Sequence, residues 1–334
     1  MTKLGVAITA AIVTILVAEF LRHRKRTLPA YGWVALAAML AAEWLMFRKV
    51  EPVATYFTPI AWTCWIFLAD AAVRAITGSS RLARGPDAAG RSQEVSRRSQ
   101  EVSRHGPDVS GHGARELGMV ALLSIPLWLI FEAYNLRLDN WTYVGLPQNF
   151  FARYLGYGWA FATITPAIFV TADLIESFGW FAKPAKPKKF SPASLRWMIV
   201  AGAVMLAVPL IAPMPAAAYL FVLVWLGFIF LLDPVNYRLR LPSLIGDLAE
   251  GRRGRLCSLL LSGWACGWLW EFWNYWAAAR WLYIFPMFQD MKIFEMPVPG
   301  YFGFPPFALE CFTMYVTARW LLRTGRATSP QAAR

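Results

Sequence analysis

Nine stretches of this chain, residues 4–20, 31–46, 53–76, 117–133, 156–181, 197–211, 216–232, 257–276 and 302–322, are apolar enough to approach a membrane crossing. A helix needs roughly 20 such residues to span the hydrocarbon layer. Lipid offers the backbone no hydrogen-bond partners, so a crossing chain must satisfy itself as a helix or a closed barrel, and runs of this length select helices. Hydrophobic residues make up 57% of the chain and charged residues only 16%, whereas a soluble domain carries about a quarter charged residues. The expected fold is all-α: a polytopic transmembrane bundle of about nine spans.

Lys and Arg gather at alternate ends of these runs, in residues 22–26, 81–115, 183–189 and 238–255 and in a tail with Arg323, Arg326 and Arg334. The opposite ends hold Lys3, Arg48, Lys49, Arg137, Arg153, Arg280 and Lys292. The positive-inside rule makes the first set cytoplasmic, with the amino terminus outside and the carboxyl terminus inside, as expected in a cell (inner) membrane. The net charge of +13 then reads as an orientation signal and a contact with anionic headgroups at the cytoplasmic face, with no nucleic-acid partner. The basic cluster follows the first run and no small-residue cleavage pattern is evident, so residues 1–28 read as an uncleaved anchor. Cys64, Cys257, Cys266 and Cys311 form no CxxC pair and read as structural thiols. His23, His105 and His112 all fall in expected cytoplasmic loops, and no metal or cofactor is expected.

The chain also repeats itself. Phe131-Glu132, Asn135, Trp141, Tyr143, Pro147, the 156–158 Gly-Tyr-Gly cluster and Pro166 recur in order as Trp270-Glu271, Asn274, Trp281, Tyr283, Pro286, Gly300-Tyr301, Gly303 and Pro305-Pro306. Upstream, Asp70 with Ser79 and Ser80 is answered by Asp233 with Ser243. Recurrence of the rare polar residues, not only of apolar filler, marks an internal duplication. Residues 29–182 form repeat A, 183–189 a basic Pro-rich linker, 190–325 repeat B and 326–334 a cytoplasmic tail. Four spans per repeat give both copies the same orientation, so a pseudo-twofold axis should run along the membrane normal. Within repeat A, residues 84–114 hold a tandem SQEVSR repeat in an Arg-, Gly- and Ser-rich run, expected to be a disordered cytoplasmic insertion.

Glu132 and Asn135 lie three apart and share a helix face, and Glu271 and Asn274 repeat the geometry. Carboxylates in lipid are costly and normally face a bundle interior or cavity, which makes Glu132 and Glu271 the candidate catalytic pair. Asn135, Asn274, Trp141, Trp281, Tyr143, Tyr283, Asp70 and Asp233 are candidate substrate-binding residues. The competing reading is structural: interhelical hydrogen bonds for the acids and amides, an interfacial belt for the aromatics, and helix-end bonding for the two aspartates.

The pattern in residues 115–166 and 255–310, a basic start, a small-residue helix ending in an acid, a downstream Trp and a Pro-bearing aromatic helix, resembles the membrane-embedded lycopene cyclase domain of carotenoid synthesis. That family also pairs two homologous membrane halves. Its Pro-x-Glu-Glu element is replaced here by Pro297-Val298-Pro299-Gly300-Tyr301, so only Glu132 and Glu271 match its helix-end acid. The resemblance implies isoprenoid chemistry, for which an aromatic cavity can stabilise a cation and a desolvated Glu can act as general acid. A lipid- or isoprenoid-binding or -modifying protein is the leading expectation. A transporter or channel with a symmetric acidic pathway, or a non-catalytic assembly protein, stands as the alternative, and oligomeric state is left open.

Reporter fusions after Arg26, after Lys189 and near Gly251 should report cytoplasm, and fusions near Val50, Gly145, Pro213 and Asp290 the outside. A cytoplasmic signal at Gly145 would overturn the nine-span topology and the parallel repeat together.

Overall fold

The computed structural model describes residues 1–82 and 113–327. The tandem SQEVSR repeat, His105 and His112 lie outside the described residues, as do all but the ends of the 84–114 insertion and the tail. Helices dominate: α1 (Thr2–His23), α2 (Ala30–Phe47), α3 (Phe57–Thr77), α4 (Ala114–Leu138), α5 (Phe150–Ser177), α6 (Pro192–Ile211), the short α7 (Met214–Ala217), α8 (Phe221–Arg238), the short α9 (Leu244–Ala249), α10 (Gly254–Trp276) and α11 (Phe304–Ala327). The nine long ones stand where the nine apolar runs were expected. Seven of them, α1 to α6 and α8, are long and apolar enough to cross a membrane. The other two, α10 and α11, match in length but not in hydropathy; α10 carries five tryptophans together with Glu271 and Asn274.

The all-α expectation missed two small sheets. Strand β1 (Trp141–Val144) pairs antiparallel with β2 (Arg280–Tyr283), and β3 (Lys292–Ile293) with β4 (Met296–Pro297), which leads through a 3₁₀ turn (Val298–Gly303) into α11. The runs Trp-Thr-Tyr-Val and Arg-Trp-Leu-Tyr are rich in aromatic and β-branched residues that suit a pleated ribbon, and each is too short to register beside its apolar neighbours.

Neighbours follow one scheme in both halves. In the first, α2 packs on α3, α3 on α5 and α5 on α4; in the second, α6 packs on α8, α8 on α11 and α11 on α10. The halves meet where α10 lies on α5 and α11 on α4, and α1 leans on α10. Loops sort to two ends. At one, Ala278 N donates to Ala54 O (3.0 Å), Arg137 Nη2 to Ala212 O (2.8 Å) and Asn140 Nδ2 to Ala218 O (3.0 Å). At the other, Lys25 N donates to Ala75 O (3.0 Å) and Ala185 N to Gly251 O (2.8 Å).

Sequence detail explains the joints. Ser191 caps α6 by accepting from Ser194 N, with Pro192 at the first helical position. Ahead of Pro166 the α5 ladder is opened by Ser124 of α4, whose hydroxyl accepts from Thr165 N (3.1 Å) and donates to Phe161 O (2.5 Å). An inserted side chain of this kind re-satisfies backbone groups that a helix-interior Pro disturbs. At the junction of α3, α5 and α10, Trp65 Nε1 donates to Thr171 Oγ1 (2.8 Å) and Ser262 Oγ donates to Ile168 O (2.6 Å). The outer helices present apolar side chains outward: Val34 of α2, and Trp197 and Ile211 of α6, are 67%, 72% and 78% exposed. A surface of that character fits acyl chains rather than water.

Helices α6 and α8 approach through Gly202, where a Cβ would stand 2.3 Å from Leu231 N and 2.7 Å from Gly227 O. Close backbone contact at small residues is how membrane helices gain packing energy. Gly202→Ala should therefore lower stability by about 1–3 kcal/mol, as overpacking does. Gly118→Ala, with nothing within 4 Å of the added carbon, should be neutral or stabilising. Denaturant unfolding in detergent checks both, and an unaffected Gly202→Ala protein would contradict this contact.

Candidate functional site

The recurring acids and amides sit on the last turns of α4 and α10, as their spacing requires, but they do different work. Asn135 is a backbone clamp: its Nδ2 donates to Trp141 O (2.8 Å), and its Oδ1 accepts from Asn140 N (2.8 Å) and Trp141 N (3.1 Å). Asn274 repeats this, with Nδ2 donating to Trp281 O (2.9 Å) and Oδ1 accepting from Trp281 N (3.0 Å). Each amide thus fixes the start of its strand against the helix that precedes it.

The ladder sets Trp141 opposite Tyr283, Thr142 opposite Leu282 and Tyr143 opposite Trp281. Side chains alternate along a strand, so all four aromatics project from one face of the ribbon. Gly145 ends β1 at φ 69°, where a Cβ would fall 2.1 Å from Ala278 O. Only glycine allows the two loops to close there.

At the tips of these side chains lie the acids. Glu132 Oε1 accepts from Tyr143 OH (2.6 Å), Trp128 Nε1 (2.9 Å) and Trp141 Nε1 (3.2 Å). Glu271 Oε1 accepts from Tyr283 OH (3.1 Å), and Trp281 Nε1 donates to that same hydroxyl (3.0 Å). Glu271 is fully buried, and its Oε2 has no hydrogen-bond partner. The same three residue types are wired in a fan in one copy and in a chain in the other. Burial, and then the adjacent carboxyl group, push the Tyr143 and Tyr283 hydroxyls well above the ordinary phenol value. Both phenols therefore stay protonated donors, held by the acids.

The ribbon's aromatic face closes one side of a cleft of about 1240 Å³, open mouth included. Trp62 of α3, Trp128 of α4, Phe161 of α5, Trp270 of α10 and Phe307 of α11 supply other walls, so both halves contribute. Trp141, Tyr143, Trp281 and Tyr283 line it. Glu132 and Glu271 stand one layer back, and Asn135 and Asn274 hold the frame. The structure does not bring Asp70 or Asp233 to this place. Asp70 accepts from Ser80 Oγ (2.7 Å), Tyr31 OH (2.9 Å) and Leu82 N (3.2 Å), and Asp233 from Ile245 N (2.8 Å) and Leu244 N (2.9 Å). Each fixes the turn after its helix, at the end of the bundle away from the cleft.

Sequence reasoning passed over several lining residues. Trp62, Trp128 and Phe307 carry no signal in the sequence pattern, Trp270 enters it only beside Glu271, and Arg153 and Arg280 read only as markers of their side of the membrane; all six line the cleft. Glu310 on α11 is fully buried, accepting from Phe228 N (3.3 Å) with Oε2 unpartnered. Among the described residues no group of three or more His, Cys, Asp and Glu could hold a metal ion. No family model, curated protein or solved structure matches the chain at a significant level.

Asn274→Ala orphans the backbone N–H and C=O of Trp281, at about 1–3 kcal/mol for each buried group. It should destabilise more than Asn135→Ala, because Asn274 is fully buried and Asn135 is not. Equal midpoints for the two variants in denaturant unfolding would show that the amides are not the clamps described here.

Proposed function

We propose that this chain is a multipass membrane protein that binds a lipid or isoprenoid chain in the aromatic cleft between its halves. The observation that carries the reading is the cleft itself: an apolar hollow walled by Trp, Tyr and Phe from both halves, its ribbon wall built of residues that recur in the two copies. On this reading the nine long helices are nine spans, and the halves are parallel four-helix repeats about an axis along the membrane normal. The common order of helix neighbours supports the repeat, as does a ladder that pairs Thr142 with Leu282, each of which follows the tryptophan of its own copy. An antiparallel ladder has a local dyad, as a twofold repeat requires.

Aromatic faces also stabilise cations, which keeps the lycopene cyclase-like reading open for Glu132 and Glu271. A proton leaving either acid would reach the cleft through Tyr143 or Tyr283, whose hydroxyls the acids hold. Gln can accept the same hydrogen bond but cannot supply the proton.

Mass spectrometry of the detergent-purified chain should find a co-purifying lipid or isoprenoid. The amount bound should fall at least several-fold in a Trp141→Ala/Trp281→Ala double variant and stay unchanged in Trp197→Ala, whose ring is 72% exposed. Glu132→Gln and Glu271→Gln should retain the ligand, and where a chemically altered product accompanies it, each should abolish the product. Equal lipid on both tryptophan variants would mean an ordinary annulus and would falsify the reading.

A further inference from the structure

We infer that the cleft's ligand carries a phosphate-bearing head, gripped at the rim by Arg153 and Arg280 while the apolar chain lies along the aromatic walls. The inference rests on the reading of the cleft given above and adds the head group. Among the described residues that line the cleft, these two arginines are the only charged ones. One turn brings them together: Arg153 Nε donates to Pro147 O (2.9 Å), and Arg280 stands opposite Val144 in the ladder. The two arginines therefore border the four residues from Val144 to Pro147.

Of the two positive charges only that of Arg280 is answered from within, and loosely. Arg153 forms no ion pair among the described residues. Arg280 Nη1 donates to Tyr275 O (3.1 Å), and its Nε lies 3.9 Å from Glu295 Oε1, an ion pair without a hydrogen bond to that buried nitrogen. Arginines at the other end of the bundle are treated differently. Arg81 pairs with Asp173, Arg319 with Glu116 (2.7 Å) and Arg255 with Asp247 (2.9 Å). A buried guanidinium N–H without an acceptor is unfavourable, and an anion at the rim would offset that cost through its charge.

Phosphate suits the rim on two counts. The guanidinium fork matches its oxygens, and two cations match its charge. Chain burial alone selects poorly here, because the surrounding acyl chains are as apolar as the walls. Discrimination then falls to the head.

Quenching of tryptophan emission in the full, detergent-solubilised chain tests this with a long-chain polyprenyl monophosphate, the matching polyprenol, phosphatidylglycerol and inorganic phosphate. The monophosphate should bind at least about tenfold more tightly than the polyprenol, and Arg153→Gln and Arg280→Gln should each reduce that preference about tenfold. Polyprenol affinity should stay unchanged in both variants, which also shows that they are folded, and Arg153→Lys should keep most of the preference. Arginine-dependent binding of phosphatidylglycerol would support the phosphate site and name a bilayer phospholipid as its source. Equal affinity for monophosphate and polyprenol, or Gln variants that keep the preference, would overturn the head-group site alone. Inorganic phosphate binding as tightly as the monophosphate would overturn the amphiphile. Failure of the polyprenol to bind the wild-type chain would overturn the apolar-chain reading along with this one.

Discussion

Two asparagine amides hold the cleft end of this molecule together. Asn135 and Asn274 each take up both backbone groups of a tryptophan, and only then can β1 and β2 leave their helices at an angle that lets them pair. Near a bilayer an unpaired backbone amide is expensive, because water is scarce and lipid cannot substitute for it. The amides remove that cost at the point where helix gives way to strand. The ladder then ties the end of α4 to the end of α10, and strand alternation sends Trp141, Tyr143, Trp281 and Tyr283 to one side without further instruction. Polar residues outside the cleft lining thus decide where the apolar walls stand.

Much of the helical frame was legible in the chain. Residues 31–46 became Ala30–Phe47, and residues 257–276 became Gly254–Trp276, because a long apolar run near lipid has few alternatives to a helix. The run at 216–232 begins later, at Phe221, since Pro213 and Pro215 hold the preceding residues in the short α7. The recurring Glu and Asn were legible as a pair on one face, but not as residues with separate duties. Spacing says that two side chains point the same way; it does not say that one will meet a backbone and the other a phenol. The strands were hidden for a related reason: Trp-Thr-Tyr-Val has the composition of an interfacial belt, and its pairing partner lies some 140 residues away. Asp70 and Asp233 recur for an architectural reason, each holding the turn that follows its helix.

The recurring residues keep their order in the two halves, but their connections differ. Glu132 gathers three donors, whereas Glu271 receives the indole of its copy only through Tyr283. The residue just before the repeated tryptophan shows the largest departure. In the first half it is Asn140, buried and donating to Leu138 O and Ala218 O, so it locks a loop. In the second it is Arg280, which lines the cleft. Corresponding positions therefore serve the frame in one half and line the cleft in the other, which gives the hollow a distinct rim.

That asymmetry matters more in lipid than it would in water. A soluble protein can select an apolar ligand by removing it from water, at about 25 cal/mol for each Å² buried. Inside a bilayer the competing environment is itself hydrocarbon, so the same walls confer little preference. What remains is shape, ring-face electrostatics and polar contacts at the edge. The walls supply the first two, with tryptophan faces on several sides and phenols kept neutral by burial and by the acids they bond. A symmetric hollow could hold a chain in either sense. Cations confined to one stretch of rim give it a direction, and a molecule with unlike ends is the kind of ligand for which direction counts.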